Sequence, residues 1–261
     1  MFSDWFYYVY VMQIYEYVLI IGVGLFAGFL NVVAGGGSLI TLPILIFLGL
    51  PAPIANATNR VALIFQNVSA VSGFHSKGIK VTKYSLYLGF AAIPGAVIGA
   101  IVSTKLEGEL FNRIIAIVMI GVIIITFFSP NKNITSSPEK MDGKHQIIGA
   151  ITFFFIGLYG GFIQAGVGFL IMAAVTNINH MSLVKTNAIK VFVVFFYTVA
   201  ALAVFIWKGV IYWEYGLSLA IGNSTGAWLT SRWSVKVPEK IIKRILAITV
   251  TGLAIKLWFY S

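Results

Sequence analysis

Apolar runs separated by short polar connections fill nearly the whole chain, at about residues 61–76, 84–104, 114–131, 146–179, 191–207, 215–231 and 245–261, the last broken only by Lys256. A helix needs roughly 20 such residues to cross a bilayer core of about 30 Å. The uncharged run from Tyr17 to Asn59 is far longer than one span requires. This pattern predicts an all-α integral membrane protein. The longest polar stretch, 129–146, holds Pro130, Asn131, Asn133, Ser136, Ser137 and Pro138, the residue types of a loop. It predicts a cytoplasmic linker between an N-terminal half, 1–128, and a C-terminal half, 147–261. Trp5, Phe6, Tyr7, Tyr8, Tyr10, Tyr15 and Tyr17 form an interfacial aromatic belt and predict a helix over about 3–16 that lies on the membrane. Asp4 and Glu16, with no Lys or Arg before Tyr17, argue against a cleavable signal peptide.

The two halves repeat each other. A constant spacing of 131 residues carries Gly35 onto Gly166, Gly37 onto Gly168, Asn56 onto Asn187, Gly78 onto Gly209, Gly95-Ala96 onto Gly226-Ala227 and Lys105 onto Lys236. Glycine and asparagine clusters inside apolar sequence point to helices that break within a membrane, the way many transporters build a substrate site.

Composition supports the membrane reading. With 59% hydrophobic residues, 10% charged residues and a mean hydropathy of +0.94, a soluble domain of 261 residues could not bury its apolar surface. The net charge of +10 would point to nucleic acid in a soluble protein. Here the basic residues fall in short loops and set orientation instead, so the lipid bilayer is expected as a partner and nucleic acid is not. Lys77, Lys80 and Lys83, Lys132, Lys140 and Lys144, and Arg232, Lys236, Lys240, Lys243 and Arg244, with Lys185 and Lys190, place one set of loops in the cytoplasm. Arg60, Lys105, Arg113, Lys208 and Lys256 fall outside, as do both termini of a multi-pass protein of the plasma (inner) membrane.

That assignment turns Gly78 inward and Gly209 outward, so the repeats are inverted. Each Gly-rich opening stretch, about 17–50 and 146–179, must then enter and leave on one side, with three full crossings after it. Two legs of about 15 residues, roughly 22 Å each, fit such a stretch. Re-entrant hairpins and two complete short spans both satisfy this parity.

Unpaired amides in hydrocarbon are costly unless protein or a water-filled cavity satisfies them. Gly35, Gly36, Gly37 and Ser38 in one half, with Gly166 and Gly168 in the other, would aim free N–H groups and helix dipoles at a common point suited to an anion. Gly24 and Gly28, Gly95 and Gly99, and Gly157 and Gly161 are G-x-x-x-G pairs, and close packing accounts for them. Asn56, Asn59 and Arg60 share one helical face, as do Asn187 and Lys190. Asn31 and Gln164 precede the glycine clusters, and Thr41, Thr58 and Gln66 could line the same cavity. Arg60 and Lys190 have an alternative reading as cations snorkelling to the membrane surface.

The eight acidic residues, Asp4, Glu16, Glu107, Glu109, Glu139, Asp142, Glu214 and Glu239, fall in the tail or at loop positions. No carboxylate is therefore placed to relay protons or chelate sodium at the membrane centre. His75, His145 and His180 also lie at loops, so nothing activates Ser38 as a nucleophile, and the protein is read as a non-enzyme. The absence of cysteine removes disulfides and thiolate metal sites. No metal or cofactor is expected.

Gly24-Leu25-Phe26-Ala27-Gly28-Phe29, then Ala34-Gly35-Gly36-Gly37-Ser38-Leu39-Ile40-Thr41-Leu42-Pro43 and Ala55-Asn56-Ala57-Thr58, resemble the TauE/SafE family. The second half is similar, through Gly160-Gly161-Phe162-Ile163-Gln164-Ala165-Gly166-Val167-Gly168 and Thr186-Asn187-Ala188. The resemblance implies a plasma-membrane transporter for sulfite or organosulfonates such as sulfoacetate, usually an exporter, and places Gly35, Gly37, Asn56, Gly166, Gly168 and Asn187 in the family pattern. Arg60 and Lys190 are added from charge and spacing.

Together these readings give alternating access between inverted halves around a small sulfur-containing anion. An anion channel with the same central site, and a membrane scaffold or assembly factor without a substrate, are the alternatives. The oligomeric state is left open, with a dimer among the arrangements allowed.

Overall fold

The computed structural model describes residues 13–79, 83–106, 108–128, 139–233 and 239–259. These form ten helices and no strand: α1 (Ile14–Val33), α2 (Ser38–Phe47), α3 (Ala52–His75), α4 (Lys83–Ser103), α5 (Gly108–Phe128), α6 (Gly143–Phe162), α7 (Val167–Asn179), α8 (Leu183–Trp207), α9 (Trp213–Trp233) and α10 (Glu239–Trp258). The helices at Ile14–Val33, Lys83–Ser103, Gly143–Phe162 and Val184–Trp207 are long and apolar enough to cross a membrane. The chain is an all-α integral membrane protein.

Local chemistry sets several boundaries. Glu16 turns back to accept a 2.8 Å bond from the Gln13 amide in a capping box, so Ile14–Glu16 form the first turn of α1 rather than the end of a separate surface helix. Residues 3–12 of that expected helix lie outside the described residues. Asp142 caps α6 by accepting from the His145 amide at 3.1 Å. The same His145 contacts hold the Asp142 carboxyl below its usual range. Because α6 starts at Gly143, the last four positions of the expected linker are helical; positions 129–138 lie outside the described residues. Lys190, grouped with the loop lysines by charge, lies inside α8 and is buried.

The opening stretches are hairpins with unequal legs. A helix of 20 residues precedes each break, and helices of only 10 and 13 residues follow. At 1.5 Å per residue the return legs are about 15 and 20 Å long. The second leg stops early because Gly49 and His180, both left-handed at φ +94 and +54, end it.

Helix directions follow from packing. Cβ atoms on Gly24 and Gly28 of α1 would strike the carbonyls of Leu219 and Asn223 in α9, and α3 meets α9 at Val61 with Gly216 and again at Gly73 with Ser231, so α1, α3 and α9 run in the same direction. Gly157 and Gly161 of α6 lie against Ala92 and Ala96 of α4, so these two also run together. Ala57 packs near Ala201 and Phe205, whereas Ala70 and Phe74 pack near Ala188 and Val191, making α3 and α8 antiparallel. Tyr84 and Leu88 pack with Ile189 and Val193, and Ala100 packs with Ala201 and Phe205, so α8 runs with α4. Thus α1, α3 and α9 point one way, and α4, α6 and α8 the other. The first hairpin opens and closes on one face, where Tyr17 bonds Glu214 and the Tyr212 amide donates to Thr58 at 3.1 Å. The second opens and closes on the opposite face, where Asn179 donates to Tyr84 and to the Lys140 carbonyl, both at 2.8 Å.

A glycine whose Cβ would strike backbone tolerates nothing larger, and overpacking costs about 1–3 kcal/mol. Gly28→Ala is expected to lower the thermal unfolding temperature of the purified protein, because its Cβ meets the Asn223 carbonyl. Gly22→Ala, with no atom within 4 Å, is expected to leave it unchanged or raise it slightly.

Candidate functional site

A helix that ends inside the protein leaves its last four carbonyls without intrahelical partners. Two helices, α1 and α6, end in this way, and each is completed by a cation from the other half. Lys190 Nζ donates to the carbonyls of Asn31 at 2.8 Å and Val32 at 3.0 Å, and to Asn187 Oδ1 at 2.7 Å. Arg60 donates to the Gly161 carbonyl at 3.1 Å and to Asn56 Oδ1 at 3.3 Å, while Asn56 Nδ2 donates to the Phe162 carbonyl at 2.9 Å. Both cations thus sit on the negative ends of helix dipoles. Arg60 is 0% exposed and Lys190 2%, and the Phe205 ring centroid lies 5.8 Å from the guanidinium carbon. Neither is a snorkelling side chain.

Their depth follows from position. Arg60 lies eight residues into α3 and Lys190 seven into α8, about 12 and 10 Å from opposite faces at helical rise. Among the described residues the one buried carboxylate is Glu16, at the start of α1. Among the described residues the two central cations are balanced by carbonyl and carboxamide dipoles and, at Arg60, by the Phe205 ring.

The hairpin tips cross at Gly35 and Gly168. A Cβ on Gly35 would lie 2.6 Å from the Gly168 Cα, so only glycine permits this backbone approach, and Gly35 also holds φ +80. The Gly35 amide is bonded to the Leu30 and Asn31 carbonyls, and the Gly37 amide donates to Asn31 Oδ1 at 3.1 Å. These two amides, expected as free donors, are already engaged. Asn31 Nδ2 donates to Gln66 at 3.0 Å. Ser38 accepts from Asn59 at 3.4 Å, and Asn59 accepts from Thr41 at 2.9 Å, tying α2 to α3.

A small, partly open polar cavity lies beside this crossing, lined by Asn31, Gly35, Gln66, Gln164 and Lys190 together with Asn67, Gly168, Val191 and Val194. Asn56, Arg60 and Asn187 support it from behind. Gly36 faces the rings of Phe169 and the side chain of Leu246, and Gly166 faces Val122, so both pack apolar groups rather than line the cavity. Sequence reasoning missed Asn67 and Tyr197. Tyr197 exchanges hydrogen bonds with Gln164 at 2.9 and 3.1 Å, and Gln164 Oε1 accepts from Arg60 at 2.5 Å. Tyr197 stands 131 residues after Gln66, so the repeat spacing itself could have found it.

The sequence pattern of the sulfite exporter TauE/SafE family matches residues 20–257. This chain belongs to that family. A probable membrane transporter protein of Sinorhizobium is 28% identical over 232 residues, covering 88% of each chain. Another from Haemophilus influenzae is 23% identical, covering 91% of this chain and 94% of its own. The probable membrane transporter YfcA of Escherichia coli K12 is 24% identical, covering 92% and 88%. No solved structure matches. TauE/SafE membership makes this protein a multi-pass membrane transporter with a small-molecule substrate.

In this TauE/SafE chain Asn56 is first a helix-end partner. Asn56→Ala strands the Phe162 carbonyl and removes one acceptor of Arg60, and a buried group left unsatisfied costs about 1–3 kcal/mol. The expected outcome is a lower unfolding temperature in detergent; an unchanged one would show that the bond to Phe162 contributes nothing.

Proposed function

We propose that this protein is a secondary transporter that moves a small sulfur-containing anion, sulfite or an organosulfonate such as sulfoacetate, out of the cell by alternating access between inverted halves. The observation that carries the reading is the pair of buried cations, Arg60 and Lys190, at the crossing of two broken helices with no carboxylate beside them among the described residues. A buried charge is costly unless paired. An anion between the halves would supply the missing countercharge, which a carboxylate would otherwise occupy.

The inverted-repeat reading draws support from the backbone. The described residues with positive φ are Gly35, Gly49, Gly78, Gly166, His180 and Gly209, which form three pairs at the 131-residue spacing. The opposite directions of α1 and α6, α3 and α8, and α4 and α9 fit the same relation. A two-fold relation lets one hairpin expose the cavity to one face while its counterpart closes the other. The halves are bonded to each other at the centre, through Lys190 with Asn31 and Arg60 with Gln164, which suits an alternating device better than an open channel. Lys190 and Arg60 hold the hairpin ends, Asn31, Gln66 and Gln164 present amides to the substrate, and no bond of the substrate is broken.

Ligand-dependent thermal stabilisation of the purified protein tests this. A ligand at a hundred times its Kd adds about 2.7 kcal/mol of stability. Stabilisation by sulfite or a sulfonate, lost in Lys190→Gln, is expected. Failure of sulfite, sulfoacetate, taurine and sulfate alike to stabilise the wild type would contradict the anion site.

A further inference from the structure

We infer that the cavity selects a singly charged oxyanion, hydrogen sulfite or a simple alkanesulfonate, over dianions such as sulfate, sulfite or sulfoacetate. The inference rests on the anion-transport reading above and narrows its substrate class: sulfite is taken as hydrogen sulfite, and dianionic sulfonates such as sulfoacetate are disfavoured.

The first observation is the direction of each carboxamide around the cavity. Partners whose polarity is unambiguous fix all of them. Asn31 Oδ1 accepts from the Gly37 amide, which leaves its Nδ2 to donate to Gln66 Oε1. With that oxygen occupied, the Gln66 amide nitrogen is its remaining group. Gln164 Oε1 accepts from Arg60, so its nitrogen is turned the other way, with one hydrogen on Tyr197. An amide nitrogen carries two donors. Asn31, Gln66 and Gln164 therefore retain N–H groups beyond their bonds in the protein, and three converging carboxamides that offer donors suit an anion.

The second observation is the countercharge. One ammonium, that of Lys190, lines the cavity; Arg60 does not, and it bonds Gln164, Asn56 and the Gly161 carbonyl behind it. The cost of desolvating an ion rises with the square of its charge, so a dianion loses far more on entry than one lining cation and neutral amides return. A monoanion is matched by one ammonium. Val191 and Val194 complete the wall and favour a small apolar substituent over a second charged group.

Asn67 adds a finer distinction. Its Nδ2 donates to the Leu63 carbonyl at 2.7 Å, so Oδ1 is the group it has left, an acceptor among donors. Such an acceptor fits an oxyanion that carries a proton on one oxygen, as hydrogen sulfite does in its O–H form.

The test compares three probes on the full-length protein by calorimetry from mildly acidic to mildly alkaline pH. Methanesulfonate is a monoanion throughout, sulfate a dianion throughout, and hydrogen sulfite loses its proton within the range. Lys190, Arg60, Tyr159 and Tyr197 are the titratable side chains around the cavity, and methanesulfonate reports any change in them. The expected result is sulfite affinity that falls more steeply than methanesulfonate affinity as pH rises, and sulfate at least about tenfold weaker than methanesulfonate, a difference well within calorimetric resolution. Asn67→Ala is expected to weaken hydrogen sulfite by a larger factor than methanesulfonate. Sulfate or alkaline sulfite binding as tightly as methanesulfonate would overturn this inference and leave the anion site standing. Binding of none of the three would overturn both.

Discussion

Everything in this structure depends on satisfying helix ends in a place where water does not do it. The helices α1 and α6 stop within the protein, and hydrocarbon offers no partner to their last carbonyls. Each half solves the problem for the other: Lys190 of α8 reaches Asn31 and Val32, and Arg60 and Asn56 of α3 reach Gly161 and Phe162. The exchange locks the halves together, buries two positive charges and gathers the polar side chains that surround the cavity.

On the proposed anion-transport reading, stability and function compete over the same groups. The three N–H donors of Lys190 already bond three oxygens, so an arriving anion acts on it first through charge, and any direct bond must displace a carbonyl of α1. Displacement would loosen the first hairpin from α8. The same event at Gln164 would draw Arg60 away from the end of α6. On that reading substrate and helix ends compete for the same cations, which would link occupancy of the cavity to the positions of the hairpins without a separate signalling element.

Much of this was readable in the sequence, for specific reasons. The glycines at Gly35 and Gly168 were visible because backbone crossing excludes every other residue, and Asn56, Arg60, Asn187 and Lys190 stood out because polar side chains are costly in apolar runs. Gly36 and Gly166 were placed in the site with their neighbours, yet they pack against Phe169, Leu246 and Val122, a distinction only three-dimensional packing reveals. The left-handed pair Gly49 and His180 was invisible because two different residues adopt the same backbone shape. Tyr197 was hidden by its apolar surroundings, since an aromatic ring there reads as lipid-facing or core. Two legs of about 15 residues were expected from stretch length alone; the chain instead makes the entering leg long and the returning leg short.

The central claim, that each buried cation secures the hairpin of the opposite half, is tested most directly by hydrogen–deuterium exchange of Lys190→Met and Arg60→Met. Loss of Lys190 is predicted to speed exchange at residues 30–39 and leave 159–168 protected, and loss of Arg60 to do the reverse. Faster exchange confined to α8 or α3 around the substituted residue, with both hairpin tips unchanged, would contradict the account.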